Sequence, residues 1–147
     1  MSNYKLIQLT NSNIGDVAVD EYMPLGSTSR RLNASQPNCS TFTVSSTGSN
    51  ILYLNDSGYY YVVYSTSLVA GAAGEVTISL VSNGTTLYSV TETATEGGTV
   101  NVTLPYAVRV CPNSCSVPTN CPAGLQLQLS GVAVTGGNSN LIVEKIQ

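Results

Sequence analysis

Apolar residues recur at every second position along most of this chain, and that period of two constrains the fold more than any other feature of the sequence. Tyr4-Lys5-Leu6-Ile7-Gln8-Leu9, Glu75-Val76-Thr77-Ile78-Ser79-Leu80, Thr99-Val100-Asn101-Val102-Thr103-Leu104 and Leu125-Gln126-Leu127-Gln128-Leu129 all alternate in this way. Such alternation buries one face of a strand and leaves the other outside. Residues 57–68, read as Ser-Gly-Tyr-Tyr-Tyr-Val-Val-Tyr-Ser-Thr-Ser-Leu, form a longer β-branched and aromatic run, expected as the most buried strand at the centre of a sheet. No window carries apolar residues at i, i+3, i+4 and i+7 over three turns, and Gly or Pro interrupts nearly every stretch long enough for a helix. Helix is therefore expected to be nearly absent.

Turn chemistry punctuates the runs at Asn55-Asp56-Ser57-Gly58, Gly71-Ala72-Ala73-Gly74, Ser82-Asn83-Gly84-Thr85, Glu96-Gly97-Gly98 and Thr135-Gly136-Gly137-Asn138. Asn83-Gly84 is the sharpest, because a two-residue type I′ turn needs positive φ at both central positions, and it predicts a hairpin pairing 76–81 with 85–90. Eight or so short strands with frequent turns indicate an all-β sandwich or barrel. Residues from about 11 to 40 read differently. They are loop-rich, with one strand expected at 16–19 and too few apolar residues to bury a core alone, so with the short strand before them they are read as an N-terminal arm, 1–40, on a body spanning 41–147.

Composition excludes several function classes. Charged residues are only 9% of the 147, against about 25% in an ordinary soluble domain, so the surface must be built from hydroxyls and amides. Five scattered Lys and Arg with a net charge of -3 make no basic patch for phosphates, and nucleic acid is not an expected partner. No run approaches the roughly 20 apolar residues of a membrane helix, and the N-terminus has no continuous apolar signal segment, so synthesis as a cytoplasmic product without membrane attachment is expected. With no His, Ser-His and Cys-His nucleophile systems are excluded, and the eight Asp and Glu stand mostly alone beside turns. No enzymatic activity and no cofactor are expected.

Three groups of residues remain as candidates. Cys111, Cys115 and Cys121 sit in Val-Cys-Pro-Asn-Ser-Cys-Ser-Val-Pro-Thr-Asn-Cys-Pro, with Cys39 far upstream. The four could hold zinc, form disulfides or stay free; the spacing differs from the usual Cys-x2-Cys knuckle, and a bridge from Cys39 would tie the arm to the long loop. Tyrosine dominates the aromatics, with nine Tyr against one Phe and no Trp. Tyr59, Tyr60, Tyr61 and Tyr64 must alternate between faces, so one set belongs to the core and the other to a subunit interface or solvent. Arg30 and Arg31 could clamp an acidic partner.

The run Leu54-Asn55-Asp56-Ser57-Gly58-Tyr59-Tyr60-Tyr61-Val62-Val63-Tyr64, followed by Val76-Thr77-Ile78-Ser79-Leu80-Val81-Ser82-Asn83-Gly84, resembles the tumour-necrosis-factor-like jelly roll shared with complement globular heads. The terminal Asn140-Leu141-Ile142-Val143-Glu144-Lys145-Ile146 is similar to the last strand of bacterial members, notably the C-terminal domain of the collagen-like exosporium glycoprotein of Bacillus, although the Gly-x-y stalk is absent. This resemblance implies an antiparallel jelly-roll sandwich and a homotrimer, with Tyr59, Tyr60, Tyr61 and Tyr64 as candidates for the threefold contact. Pro24-Leu25-Gly26 with Arg30-Arg31, and Arg109-Val110-Cys111, also resemble phage head-fibre and capsid decoration proteins. That second resemblance implies a structural virion protein of a tailed phage, anchored to capsid protein through Pro24, Leu25, Arg30 and Arg31; the amide- and hydroxyl-rich surface adds weak attachment to surface glycans, raised by multivalent display, as an expectation. Loops at 71–74, 92–98 and 113–120 are the exposed candidates. The alternatives are a spore- or cell-surface structural domain and a carbohydrate-binding or glycan-active module.

Overall fold

The computed structural model describes residues 5–32, 41–45, 50–110 and 124–146. Ten strands follow one another: β1 (Lys5–Asn11), β2 (Ser27–Leu32), β3 (Phe42–Val44), β4 (Leu52–Leu54), β5 (Gly58–Ala70), β6 (Gly74–Ser82), β7 (Thr85–Ala94), β8 (Thr99–Val110), β9 (Gly124–Gly131) and β10 (Val134–Lys145). They form two five-stranded sheets, ordered β2-β1-β10-β5-β8 and β3-β4-β9-β6-β7, and every pairing is antiparallel. We call these the first and second sheets. Non-consecutive neighbours such as β1-β10 and β5-β8 are the crossovers of a jelly roll.

The core lies between the sheets and is filled by alternate residues of both. Ile7, Leu9, Tyr60, Val62, Tyr64, Leu68, Val102, Leu104 and Val143 of the first sheet face Phe42, Leu52, Leu54, Ile78, Leu80, Leu125, Leu127 and Leu129 of the second, all essentially inaccessible to water. Phe42 meets Tyr60 edge-on across the gap, with ring centroids 6.0 Å apart. The hairpin at Asn83-Gly84 forms as the turn chemistry requires, with φ of 51° and 80° and β6 paired to β7.

Three expectations are corrected. Residues before 41 are not set apart from the body: β1 pairs along its whole length with β10, and Ile14, Val17, Met23 and Leu25 belong to the same core. The strand expected at 16–19 reduces to a single bridge between Val17 and Val134, because this segment crosses one end of the sandwich on its way to the second sheet. Thr135-Gly136-Gly137-Asn138 runs inside β10 and is not a turn: the register slips between Val134 and Gly136, and Gly136 and Gly137 then pair with Val69 and Leu68. Gly137 has φ 145°, and a Cβ there would come 2.1 Å from the carbonyl oxygen of Ser67, so the glycine lets the two strands stay paired.

Candidate subunit interface

The alternation that fills the core also decides what the first sheet shows on its other side. Leu32, Leu6, Glu144, Tyr61 and Ala107 stand opposite one another across five strands, and Arg30, Gln8, Ile142, Val63 and Pro105 form the next row. A third row holds Thr10, Asn140, Ser65 and Thr103, and a fourth Asn138, Ser67 and Asn101. The first two rows are largely aliphatic and aromatic, whereas the last two are entirely hydroxyl and amide. Gln8 Nε2 donates to Asn140 Oδ1 at 2.8 Å across the boundary. The polar half carries a shallow depression of about 290 Å³ lined by Ser65, Ser67, Asn101, Thr103, Asn138 and Asn140.

The four tyrosines divide by face. Tyr59 and Tyr61 are 47% and 38% exposed on the outer side. Tyr60 and Tyr64 are core residues, which corrects their candidacy for an interface; strand geometry sends alternate side chains to opposite faces, and theirs point between the sheets. Tyr60 donates its hydroxyl to the Asp56 carbonyl at 2.7 Å. Burial, reinforced by the nearby Asp56 charge and partly offset by that hydrogen bond, holds its phenol well above the usual range. Burial likewise pushes the Tyr64 phenol up to about 12, offset in part by the Ser139 and Thr66 hydroxyls beside it. Neither Tyr64 Oη nor Ser139 Oγ finds a hydrogen-bond partner of good geometry among the described residues.

The proposed anchoring residues also separate. Leu25 is fully buried and serves the core, and the Pro24 carbonyl accepts a hydrogen bond from Asn11 Nδ2 at 3.1 Å. Arg31, opposite the inward-facing Ile7, donates through Nη2 to the carbonyl of Phe42 and ties the β2 edge to the second sheet. Arg30 is exposed in the second outer row. Cys39, Cys111, Cys115, Cys121 and the loop at 113–120 lie outside the described residues. Gly71, Ala72 and Ala73, and likewise Thr95, Glu96 and Gly97, are exposed as expected of their loops.

Sequence reasoning missed much of the outer apolar patch, although a signal was present. Leu6-Ile7, Val62-Val63 and Leu141-Ile142-Val143 break the alternation with apolar residues on both faces, and these three segments lie side by side in β1, β5 and β10. Reasoning also missed Tyr88 of β7 and Tyr106 of β8, which stack at 5.6 Å with their planes 20° apart and close the gap between the sheets along that side. Tyr88 stays 44% exposed.

No family model and no curated protein sequence matches the chain. Solved structures do match in fold. The globular domain of zebrafish complement 1qA superposes with a TM-score of 0.64 at 8% identity, over 97% of each chain. The vertex protein P5 of PRD1 gives 0.63 at 16% identity, again over 97% of each. Murine APRIL gives 0.65 at 8% identity, over 97% of this chain and 99% of its own. With two antiparallel sheets in this strand order and these neighbours, the chain has the tumour-necrosis-factor-like jelly-roll fold, which the PRD1 vertex protein P5 shares.

Proposed function

We propose that this chain is a structural virion protein: a homotrimeric capsid decoration or head-fibre protein of a tailed phage, without catalytic activity. The observation that carries the reading is the outer face of the first sheet, where Leu6, Tyr61, Val63, Ile142, Pro105 and Ala107 adjoin in two rows. A contiguous apolar patch on a sheet face is costly to leave in water and marks an association surface. A closed ring of identical subunits needs two different patches that meet each other. The exposed Tyr88, stacked on Tyr106 at the side of the same sandwich, supplies the second. The likeness to a phage vertex protein supports the location on a particle.

Light scattering on the purified chain tests the assembly. A particle of three times the 15.3 kDa chain mass is expected, and Val63→Asp should reduce it to a single chain with its β-sheet circular dichroism intact. A wild-type monomer at micromolar concentration would overturn the trimer. Antibody raised against the chain should decorate the surface of intact particles in electron micrographs; labelling confined to free protein would overturn the virion location.

A further inference from the structure

At the outer edge of the second sheet, two stretches of chain take turns pairing with β9. Residues 20–23 bond to it opposite Leu127 and Leu129, and Tyr22 bridges Gln128. Further along, Leu52 and Tyr53 of β4 pair with Leu125 and Gly124. Between them the two stretches diverge, and a cleft of about 480 Å³ opens, lined by Asp16, Val17, Asp20, Glu21, Tyr22, Pro24 and Asn50. This volume lies within the range of small-ligand sites.

Its walls are fixed and its chemistry is one-sided. Glu21 Oε1 accepts the Ala18 N–H at 2.9 Å, and Gln128 Nε2 donates to the Asp20 carbonyl at 2.9 Å, so the crossing segment is held in place. The lining offers carboxylate and amide oxygens as acceptors, with no cationic side chain among them. Tyr22 lines the cleft, and Tyr53 stands outside the lining, further along β9. Tyr22 and Tyr53 pair with positions four residues apart on β9, about 13 Å along the strand. Tyr53 lies across Gly124, where an added Cβ would sit 3.2 Å from the ring, and it remains 40% exposed. Among the described residues no group of three His, Cys, Asp or Glu is arranged to hold a metal ion, so the carboxylates do not converge on a cation.

We propose that this cleft binds a neutral glycan, one sugar ring against Tyr22 with its hydroxyls donating to Asp16, Asp20 and Asn50, and a further ring of the same chain resting on Tyr53. A pyranose presents both what the site lacks, hydroxyl donors, and what it can cover, an apolar C–H face that suits an aromatic ring. Single-site affinity is weak, and display of several copies raises it by avidity. The site stands independently of the trimer, because it lies at an edge of the second sheet, across the sandwich from the outer face of the first.

Titration of the ¹⁵N-labelled chain with neutral hexasaccharides of glucose, mannose and N-acetylglucosamine, followed by amide chemical shifts, tests it. At least one sugar should shift amides of residues 16–24, 50–53 and 124–128 at millimolar concentration, unchanged by added salt. Tyr53→Ala and Tyr22→Ala should each weaken binding at least fivefold, while Tyr22→Phe, which keeps the ring, should retain it. Absence of such shifts with every sugar overturns the proposal. So does salt-sensitive binding of hexalysine at the same amides, which would make the cleft a site for basic peptides.

Discussion

Two tyrosines on one strand, four residues apart and both inaccessible to water, should respond in opposite directions to the same substitution. Tyr60 Oη donates to the Asp56 carbonyl at 2.7 Å, whereas Tyr64 Oη is buried without a partner among the described residues. An unsatisfied buried hydroxyl costs roughly 1–3 kcal/mol, and a satisfied one contributes about 1 kcal/mol net. Phenylalanine preserves the ring in both places, so the cavity contribution is small. Tyr64→Phe is therefore expected to stabilise by about 1 kcal/mol at pH 7, raising the melting midpoint by roughly 2–4 °C in a domain of this size. Tyr60→Phe should lower stability by about 1–2 kcal/mol, because the Asp56 carbonyl loses its donor. Both phenols are held above their ordinary range by burial, so both sites lose stability in alkali. The unfolded phenol ionises near 10 and the folded Tyr64 only near 12, so the folded state holds the extra proton in that interval. The stabilisation is complete below pH 10 and is lost as pH rises towards 12, on the order of 3 kcal/mol. Tyr64→Phe should flatten that decline. Urea denaturation at fixed protein concentration, at pH 7 and then between 9 and 12, measures both effects. A Tyr64→Phe variant less stable than wild type by 1 kcal/mol at pH 7 would refute the reasoning and show that the hydroxyl is satisfied in solution.

Other perturbations probe how the two sheets are joined. Gly131 has φ 93°, and a Cβ there would lie 1.9 Å from the Glu75 carbonyl oxygen; Gly131→Ala should cost more than about 2 kcal/mol, read from the urea midpoint. Asp56 Oδ2 accepts Lys5 Nζ at 2.8 Å and Thr41 Oγ1 at 2.7 Å with both charged side chains mostly covered. Lys5→Met should accordingly cost roughly 1–3 kcal/mol, with little relief from salt, by thermal melts at two ionic strengths. Removal of the residues before Phe42 takes away β1 and the core side chains Ile7, Leu9, Met23 and Leu25, so the truncated chain should lose its cooperative melting transition.

The legible part of the fold was whatever depends on nearest neighbours along the chain. The alternation of 75–80, 99–104 and 125–129 became β6, β8 and β9, and Asn83-Gly84 became the hairpin turn because its chemistry is local. β2 was missed because Ser-Thr-Ser-Arg-Arg-Leu is an edge strand exposed throughout, with no buried face to impose a period. The crossing segment at 12–26 was read as an arm because its buried residues Ile14, Val17, Met23 and Leu25 follow no single period. They are pinned one at a time, by Val134 in one sheet and by β9 in the other. The cleft beside Tyr22 was illegible for the same reason, since its lining comes from stretches about thirty residues apart that meet only through β9.

The two outer faces of the sandwich differ in a way that favours one of them for the proposed trimer contact. On the second sheet the outward positions of β6 and β7 include hydroxyls that satisfy one another, Thr77 with Thr91 and Ser79 with Ser89, each at 2.8 Å, and β9 adds Gln126, Gln128 and Ser130. Such a face is at rest in water, with its polar groups paired in the sheet or free to bond to solvent. On the first sheet the doublets of β1, β5 and β10 place Leu6, Val63 and Ile142 where water would be, beside Tyr61 and Pro105. At about 25 cal/mol per Å² of apolar area removed from water, the first sheet has more to gain from being covered than the second, where Tyr53 is the exposed aromatic on the outer side. An assembly that instead buried the hydroxyl ladders would have to re-satisfy each of them across the contact. Charge placed at position 63 should therefore dissociate the subunits, and the same charge at Thr91 should leave their mass unchanged; the reverse result would move the interface to the other sheet.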